Sequence, residues 1–306
     1  MHPYDRTTTA APRHRSRRVA VLASTLLLAG GIVALGGPVA AADGPAIRSL
    51  DITATDSAGG SIDSYVLSTD RVTAGLVDVR LHNTGSVDHQ AQLVRLHDGV
   101  TPAQYLAALE ASGGGTALVL GDATGGPNAI HAGGFQETWV TLVAGTYGVL
   151  CFQDGPGGPP HFVKGMYASF AVSGQGNSAH PPGNVVGTIS AFSFGFHMPA
   201  VIDGHGLYRF TNSATADTHE LTIIKLAPGA TAADALAWIQ NPSPAGPPPF
   251  AEADGGGGAI APGAESWVRL DLAPGDYIAV CFVPDDEAPH APHAALGMVQ
   301  GFHVAG

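Results

Sequence analysis

Apolar and polar residues alternate along several short segments, which is the pattern of β-strands with one buried face. The clearest examples are residues 76–81 and 267–272. Two short continuous apolar runs, residues 147–152 and 277–282, each follow a turn that contains glycine. Such runs are typical of fully buried strands. The pattern therefore predicts a chain built mainly of short strands.

A helical pattern occurs once in each of two regions. Thr101 can cap a helix that has Pro102 at its first position, with Tyr105 and Leu109 on one face. A matching helix is predicted to begin after Thr231. One helix among many short strands favours a sandwich of sheets over a helical bundle.

The chain repeats itself at an offset of about 130 residues, because the segment beginning at His89 has the pattern of the segment beginning at His219. The helix, a Glu-x-Trp-Val motif and a Cys-Phe pair then recur in the same order. Trp139 and Trp267 occupy the same place in the repeat and are predicted core aromatics. Since solenoid repeats are only about 20–50 residues long, this period indicates a duplicated domain. We predict an all-β protein of two tandem Greek-key β-sandwich domains, each with one short helix.

The composition indicates many turns, and the segments richest in glycine and proline indicate the domain limits. The sequence has 42 glycines and 23 prolines among 306 residues, and only 12% of its residues are charged, which favours strands joined by many turns. We predict domains at residues 46–173 and 188–306, joined by a Gly/Pro/Asn/Ser-rich linker at 174–187. Residues 241–258 contain three consecutive prolines and four consecutive glycines and are predicted to be a surface insertion.

The first 42 residues have the features of a secretory signal peptide. Five arginines precede an apolar run at 19–35, and small residues follow at 39–42. Arg17 and Arg18 follow Ser16 as in a twin-arginine signal, although Ala20 stands where that signal has Phe, so both export routes stay open. An uncleaved membrane anchor is the alternative, although the run is slightly short for a bilayer span. We expect a secreted or extracytoplasmic protein.

The chain is acidic, with a formal net charge of −12. Removal of residues 1–42 takes away five arginines and one aspartate, which leaves 8 basic and 24 acidic residues. Such a surface repels phosphate backbones, so we expect no nucleic-acid partner.

Each half holds one cysteine, and the same residue types surround it in the same order. The first set is His89, Cys151, His161 and Met166, and the second is His219, Cys281, His293 and Met298. Two histidines and a cysteine with a weak axial methionine are the ligands of a blue copper site. Thiolate and thioether suit Cu(I), and imidazole accepts both oxidation states.

This order of residues resembles the cupredoxin family, to which plastocyanin and azurin belong. In that family the first His follows a strand end that contains Asn, the Cys ends a late strand, and the second His and the Met come on the next loop. Asn83 precedes His89 and Asn212 precedes His219 in the same way. The resemblance implies one copper ion per domain, held by the two sets above, a single-electron carrier and a redox protein partner.

Two features depart from the family pattern. Nine residues separate Cys151 from His161 and eleven separate Cys281 from His293, where small blue copper proteins have only a few; His290 also competes with His293 as a ligand. No histidine flanks either cysteine, unlike multicopper oxidases and two-domain nitrite reductases, so an enzyme of those kinds is disfavoured. No hydrolase or phosphate-loop motif occurs either.

Two other interpretations of the cysteines stay open. Cys151 and Cys281 can pair in a disulfide if the domains bring them together. Each can instead be a buried thiol in a metal-free cupredoxin-like protein with a structural or interaction role at the cell surface.

Overall fold

A computed structural model describes residues 48–56, 63–114, 117–154, 158–241, 247–285 and 291–306. The predicted signal peptide at 1–42 and the competing ligand His290 lie outside these residues. Among the described residues, no helix combines the length and the apolar composition that a membrane crossing needs.

The described part of the first half forms nine strands, one α-helix and one short 3-10 helix. In chain order they are β1 (Arg48–Asp56), β2 (Asp63–Leu67), β3 (Arg71–Thr73), β4 (Gly75–Asn83), β5 (Gln92–Leu96), α1 (Pro102–Ser112), β6 (Gly121–Ala123), β7 (Phe135–Leu142), β8 (Gly145–Leu150), the 3-10 helix (His161–Lys164) and β9 (Tyr167–Ser173).

The described part of the second half repeats this order. Its elements are β10 (Val185–Phe192), β11 (Gly195–His197), β12 (Val201–Ile202), β13 (His205–Asn212), β14 (His219–Leu226), α2 (Ala232–Gln240), β15 (Phe250–Ile260), β16 (Glu265–Asp271), β17 (Gly275–Val280) and β18 (Val299–Val304). The predicted all-β class, with one short α-helix in each half, is confirmed.

Each half is a sandwich of two sheets. In the first half, strands β2-β1-β4-β7 form one sheet and strands β3-β9-β8-β5-β6 form the other. The core lies between them, since Ile52 and Val79 of the first sheet belong to the same buried cluster as Leu93 and Val149 of the second. The second half has the equivalent sheets β11-β10-β13-β16 and β12-β18-β17-β14-β15, with a matching core.

The two α-helices begin where the sequence predicts and cover the outer face of the second sheet in their half. Thr101 forms a capping box with Gln104: the Thr101 side chain accepts a hydrogen bond from the Gln104 backbone N–H, and the Gln104 side chain accepts one from the Thr101 backbone N–H. Thr231 does the same with Asp234. Tyr105 of α1 is fully buried in a cluster of apolar side chains from the outer sheet face, which anchors the helix there.

The predicted core position is confirmed for Trp139, which is 1% exposed, but the cluster that buries it joins the two halves, and Trp267 is only partly buried. Strands β7 and β16 pair antiparallel, which fuses the first sheets of both halves into one sheet of eight strands. Trp139 lies directly opposite Trp267 in this pairing. With Leu76 and Leu207 they form a separate apolar cluster, and the Arg269 guanidinium lies 4.9 Å from the centre of the Trp139 ring.

The predicted surface insertion at 241–258 was also wrong over its last residues. Residues 250–258 belong to β15, which pairs with β14 on one side and bridges to residues 124–130 of the first half on the other. Glycine makes the close approach of β15 to β14 feasible. Gly256 has φ +126°, and a Cβ atom there would overlap the carbonyl oxygen of Leu221.

The contacts between halves follow a local two-fold symmetry. Residue 124 corresponds to 254 in the repeat, and residue 130 corresponds to 260. Thr124 bridges to Ile260, and Ile130 bridges to Asp254, so each half offers the same segment to the other. This is the arrangement of an isologous dimer interface, here within one chain.

The segment predicted as the linker, 174–187, covers the stretch between β9 and β10 and the first residues of β10. It is fastened to the first half, because the side chain of Asn177 accepts a hydrogen bond of 2.9 Å from the backbone N–H of Leu76. The precise domain limits stay a prediction, since the two halves share one sheet.

Candidate metal centre

The four predicted residues of the first half lie at one end of its sandwich. His89 bridges to Ile130 just before β5, and Cys151 directly follows β8. His161 begins the 3-10 helix, and Met166 is the last residue before β9. All four side chains are buried.

The donor atoms of the two histidines and the cysteine converge. Nδ1 of His89 lies 3.1 Å from Nδ1 of His161. Sγ of Cys151 lies 3.8 Å from the first of these nitrogens and 3.5 Å from the second. These three residues form one of the two groups of potential metal ligands found among the described residues.

The second half repeats this geometry. His219 begins β14, Cys281 directly follows β17, and His293 lies in the turn before β18. The two Nδ1 atoms are again 3.1 Å apart, and Sγ of Cys281 lies 3.8 and 3.5 Å from those of His219 and His293.

A metal ion fits the triangle of donors in both halves. For sides of 3.1, 3.5 and 3.8 Å, the point equidistant from the three atoms lies about 2 Å from each of them. Protein metal sites have His nitrogen at about 2.0–2.1 Å and Cys sulfur at about 2.3 Å. A small outward shift of the sulfur therefore completes a trigonal set.

The long segments between Cys and His do not scatter the ligands, because each closes on itself. Asp154 bridges to Pro160 in the first half, and Pro284 bridges to Pro292 in the second. A backbone hydrogen bond also joins the two ends of the segment, because the N–H of His161 donates to the carbonyl of Gln153 at 2.9 Å. The equivalent bond in the second half runs from His293 to Val283, also at 2.9 Å.

An asparagine holds the loop before the first histidine of each set. The side-chain amide of Asn83 donates to the carbonyls of Val87 and Ile130, both at 2.8 Å, and Ile130 is the bridge partner of His89. Asn212 donates in the same way to Asp217 and Ile260. The asparagine that carried the family resemblance therefore fixes the backbone beside the imidazole.

The methionine and the cysteine of each set belong to the same buried cluster. Met166 belongs to the same buried core cluster as Cys151, and its backbone N–H donates to the carbonyl of His161 at 3.0 Å. Met298 belongs to the cluster of Cys281 and donates to His293 at 2.9 Å. The backbone of each methionine is thus held to the second histidine of its set in the same way in both halves.

Burial sets the protonation states of the donors. It raises the pKa of the Cys151 thiol to about 12, against the lowering effect of the backbone N–H groups of Gln90 and Gln153. Burial lowers the pKa of His161 and of His219 to about 4. Without metal the imidazoles of His161 and His219 are therefore neutral at pH 7 and can offer a lone pair, while the Cys151 thiol keeps its proton.

Both cysteines are free and buried, so they do not form the disulfide left open above. The structure also shows polar side chains beside the first site that the sequence did not indicate. Asp56 and Asp63 lie at the facing ends of β1 and β2 and approach His89 and His161. The repeat was recognisable only from His89 onwards, so these earlier strands offered no comparison between halves.

No protein-family model matches the chain, and no curated protein matches it. Among solved structures, the chain is similar to a multicopper oxidase, with 16% identity, 85% of this chain and 89% of that chain covered, and a TM-score of 0.25. It is also similar to an auracyanin from the photosynthetic bacterium Roseiflexus castenholzii, with 22% identity, 39% and 96% covered, and a TM-score of 0.26. Auracyanin A, a "blue" copper protein from Chloroflexus aurantiacus, has 19% identity, 41% and 99% covered, and a TM-score of 0.27.

The fold assignment rests on the strand order of the chain itself. Two sandwich halves, each with a buried His/Cys/His group at one end, fit a two-domain cupredoxin. These features support a copper-binding protein in general.

Proposed function

We propose that this is an exported protein that binds one copper ion in each half and carries single electrons. The first ion is held by His89, Cys151 and His161 with Met166 as a weak axial ligand. The second is held by the equivalent set, His219, Cys281, His293 and Met298. The observation that carries the proposal is the triangle of two Nδ1 atoms and one Sγ atom, which has the same dimensions in both halves.

The donor set favours copper over zinc. Structural zinc sites are nearly always tetrahedral, with four strong ligands. Each group here has three strong donors among the described residues, with a methionine as the next candidate. A trigonal His₂Cys set with a weak axial methionine is typical of copper sites that transfer electrons.

The protein's own contribution is to hold the donors rigidly and to exclude water. The first histidine and the cysteine of each set lie on or beside paired strands, and backbone hydrogen bonds hold the second histidine. Bound copper would supply the one-electron redox step. Because the donors are already converged and buried, the site can accept either oxidation state with little rearrangement of the chain.

Titration with copper tests the proposal. Protein is recovered from the extracytoplasmic fraction, and mass spectrometry is used to check that its N-terminus lies near residue 43. We expect it to bind two equivalents of Cu(II) with an intense visible absorption from the thiolates. Cys151→Ala and Cys281→Ala are each expected to lose one equivalent and about half of the absorption. His97→Gln is the control, since this exposed histidine pairs only with Asp122 among the described partners and lies outside both groups.

The contrary result is also defined. If wild-type protein shows neither the absorption band nor bound copper by elemental analysis, the metal proposal fails. The chain is then a duplicated β-sandwich with a structural or interaction role, in which the two thiols are core side chains.

A further inference from the structure

The two candidate sites share their donors but differ in their surroundings. Strand pairing aligns the halves here, because Ala54 lies opposite Asn83 just as Ala191 lies opposite Asn212. Continuing that alignment through the β1–β2 and β10–β11 pairs matches Asp56 with Ser193 and Asp63 with Phe194. Asp56 and Asp63 face each other in the pairing of β1 with β2, whereas Ser193 and Phe194 form the turn between Phe192 and Gly195, which pair with each other.

Carboxylates face both histidine rings of the first site. Oδ2 of Asp56 lies 3.4 Å from Nε2 of His89. Oδ2 of Asp63 lies 3.9 Å from Nε2 of His161, and 3.5 Å from Nζ of Lys164. Asp63 is only 1% exposed, so this carboxylate is enclosed with the ring that it faces. Both nitrogens are the ones turned away from Cys151.

An aromatic ring takes the place of the carboxylate in the second site. The ring of Phe194 packs edge-on against His293, with ring centres 5.0 Å apart. Nε2 of His219 is buried and, like Nε2 of His89 and His161, makes no hydrogen bond among the described residues, but unlike them it has no carboxylate within 4 Å in that part of the chain. The matched residue Ser193 therefore does not replace the contact that Asp56 makes with His89.

Two acidic groups near the second site have different positions. Glu220, which replaces Gln90, is buried and accepts a 2.9 Å hydrogen bond from the backbone N–H of Phe282. Asp217 lines a cavity of about 210 Å³ that also borders His293 and Leu118. Neither occupies the position of Asp56 or Asp63.

We propose that Asp56 and Asp63 are positioning residues that make the first site the tighter Cu(II) site, whereas the second site favours Cu(I). The inference rests on the proposed copper function. A carboxylate oxygen 3.4 or 3.9 Å from Nε2 favours the tautomer in which Nε2 carries the proton and Nδ1 the lone pair, and it strengthens Nδ1 as a donor to the more highly charged ion. An apolar neighbour such as Phe194 gives no such support, so the second site has the higher reduction potential.

The two sites can be measured one at a time. Cys281→Ala isolates the first site, and Cys151→Ala isolates the second. In the first background we expect Asp63→Asn to weaken Cu(II) binding about tenfold and Cu(I) binding less. The reduction potential of the first site then rises by about 59 mV for each factor of ten by which Cu(II) binding is weakened more than Cu(I) binding. In the second background, Phe194→Asp is expected to shift both quantities the opposite way.

Asp98→Asn is the matched control for loss of a carboxylate. The Asp98 side chain is 96% exposed, lies in the first half and contacts neither histidine of the site. It should leave affinity and potential unchanged. If Asp63→Asn does not fold, Asp56→Asn tests the same proposal at the other ring.

The outcomes separate this inference from the proposed function. If neither isolated site binds copper, the proposed function fails. If both bind copper with equal Cu(II) affinities and equal potentials, only the inference is overturned. It is also overturned if Glu220→Gln, and not Phe194→Asp, moves the potential of the second site towards that of the first.

Discussion

At the residue scale, burial favours the uncharged form of both the thiol and the imidazoles, so it shifts their pKa values in opposite directions. It raises the pKa of Cys151 to about 12 and lowers that of His161 to about 4. The metal-free donors are therefore uncharged at pH 7, so none of them is a buried charge without a partner. A bound divalent ion changes the protonation state of the thiol only, because the positive charge of the ion favours the thiolate.

This proton balance makes copper affinity depend on pH. Binding releases one thiol proton per site, and burial lowers the pKa of both His89 and His161 below the ordinary imidazole value. From pH 6 to 8, well below the thiol pKa of about 12, we expect the affinity of the first site to rise about tenfold per pH unit. Competition with a chelator at pH 6, 7 and 8, in the Cys281→Ala background, measures it.

The control for the pH series is proton release. Potentiometric titration should record one proton released for each copper bound at every pH. An affinity that stays constant from pH 6 to 8 would show that the thiol is not the group that binds the metal.

At the element scale, the helices and most strands follow from local pattern. Thr101 and Thr231 predicted the helix starts because capping depends on neighbouring residues alone. The closure of each Cys–His segment could not be predicted, since it depends on bridges such as Asp154 to Pro160 that local pattern does not indicate. The ligand set was nevertheless found, because residue order within the repeat does not require knowledge of loop shape.

Strand β15 shows where local pattern misleads. Four consecutive glycines normally indicate a loop, because glycine lowers the intrinsic preference for a strand. Here Gly255 and Gly256 let the strand lie against the first half, where the side chain of Gln136 accepts a 3.0 Å hydrogen bond from the N–H of Gly256. The matching pair Gly125 and Gly126 recurs at the repeat offset and could have revealed the shared role.

A single methyl group tests the close approach of β15 to β14. Gly256→Ala places a Cβ against the carbonyl oxygen of Leu221 at φ +126°, so we expect a loss of about 2–4 kcal/mol in unfolding free energy. Gly263→Ala is the control, because its φ is +75° with nothing within 4 Å of the added atom, and it should cost only about 1–2 kcal/mol. Urea unfolding followed by circular dichroism compares them. Equal losses in both variants would mean that β15 tolerates a side chain at the contact.

At the scale of the whole molecule, two sandwiches form one body through a local two-fold interface. The sequence indicated the duplication but not the interface between the halves, because Trp139 and Trp267 at that interface are as apolar as residues inside a core. Only pairing across the halves distinguishes an interface from a core. The same duplication leaves two sites with equal donor triangles, so the account requires two metal ions per chain in equivalent positions.

Crystals of the copper-loaded protein, with anomalous diffraction recorded at the copper edge, test this requirement most directly. We predict two anomalous peaks per chain, each about 2.0–2.3 Å from two histidine Nδ1 atoms and one cysteine Sγ. One peak belongs at His89, Cys151 and His161, and the other at His219, Cys281 and His293. Copper found only on surface side chains, or bound through Nε2 away from the cysteines, would contradict the account.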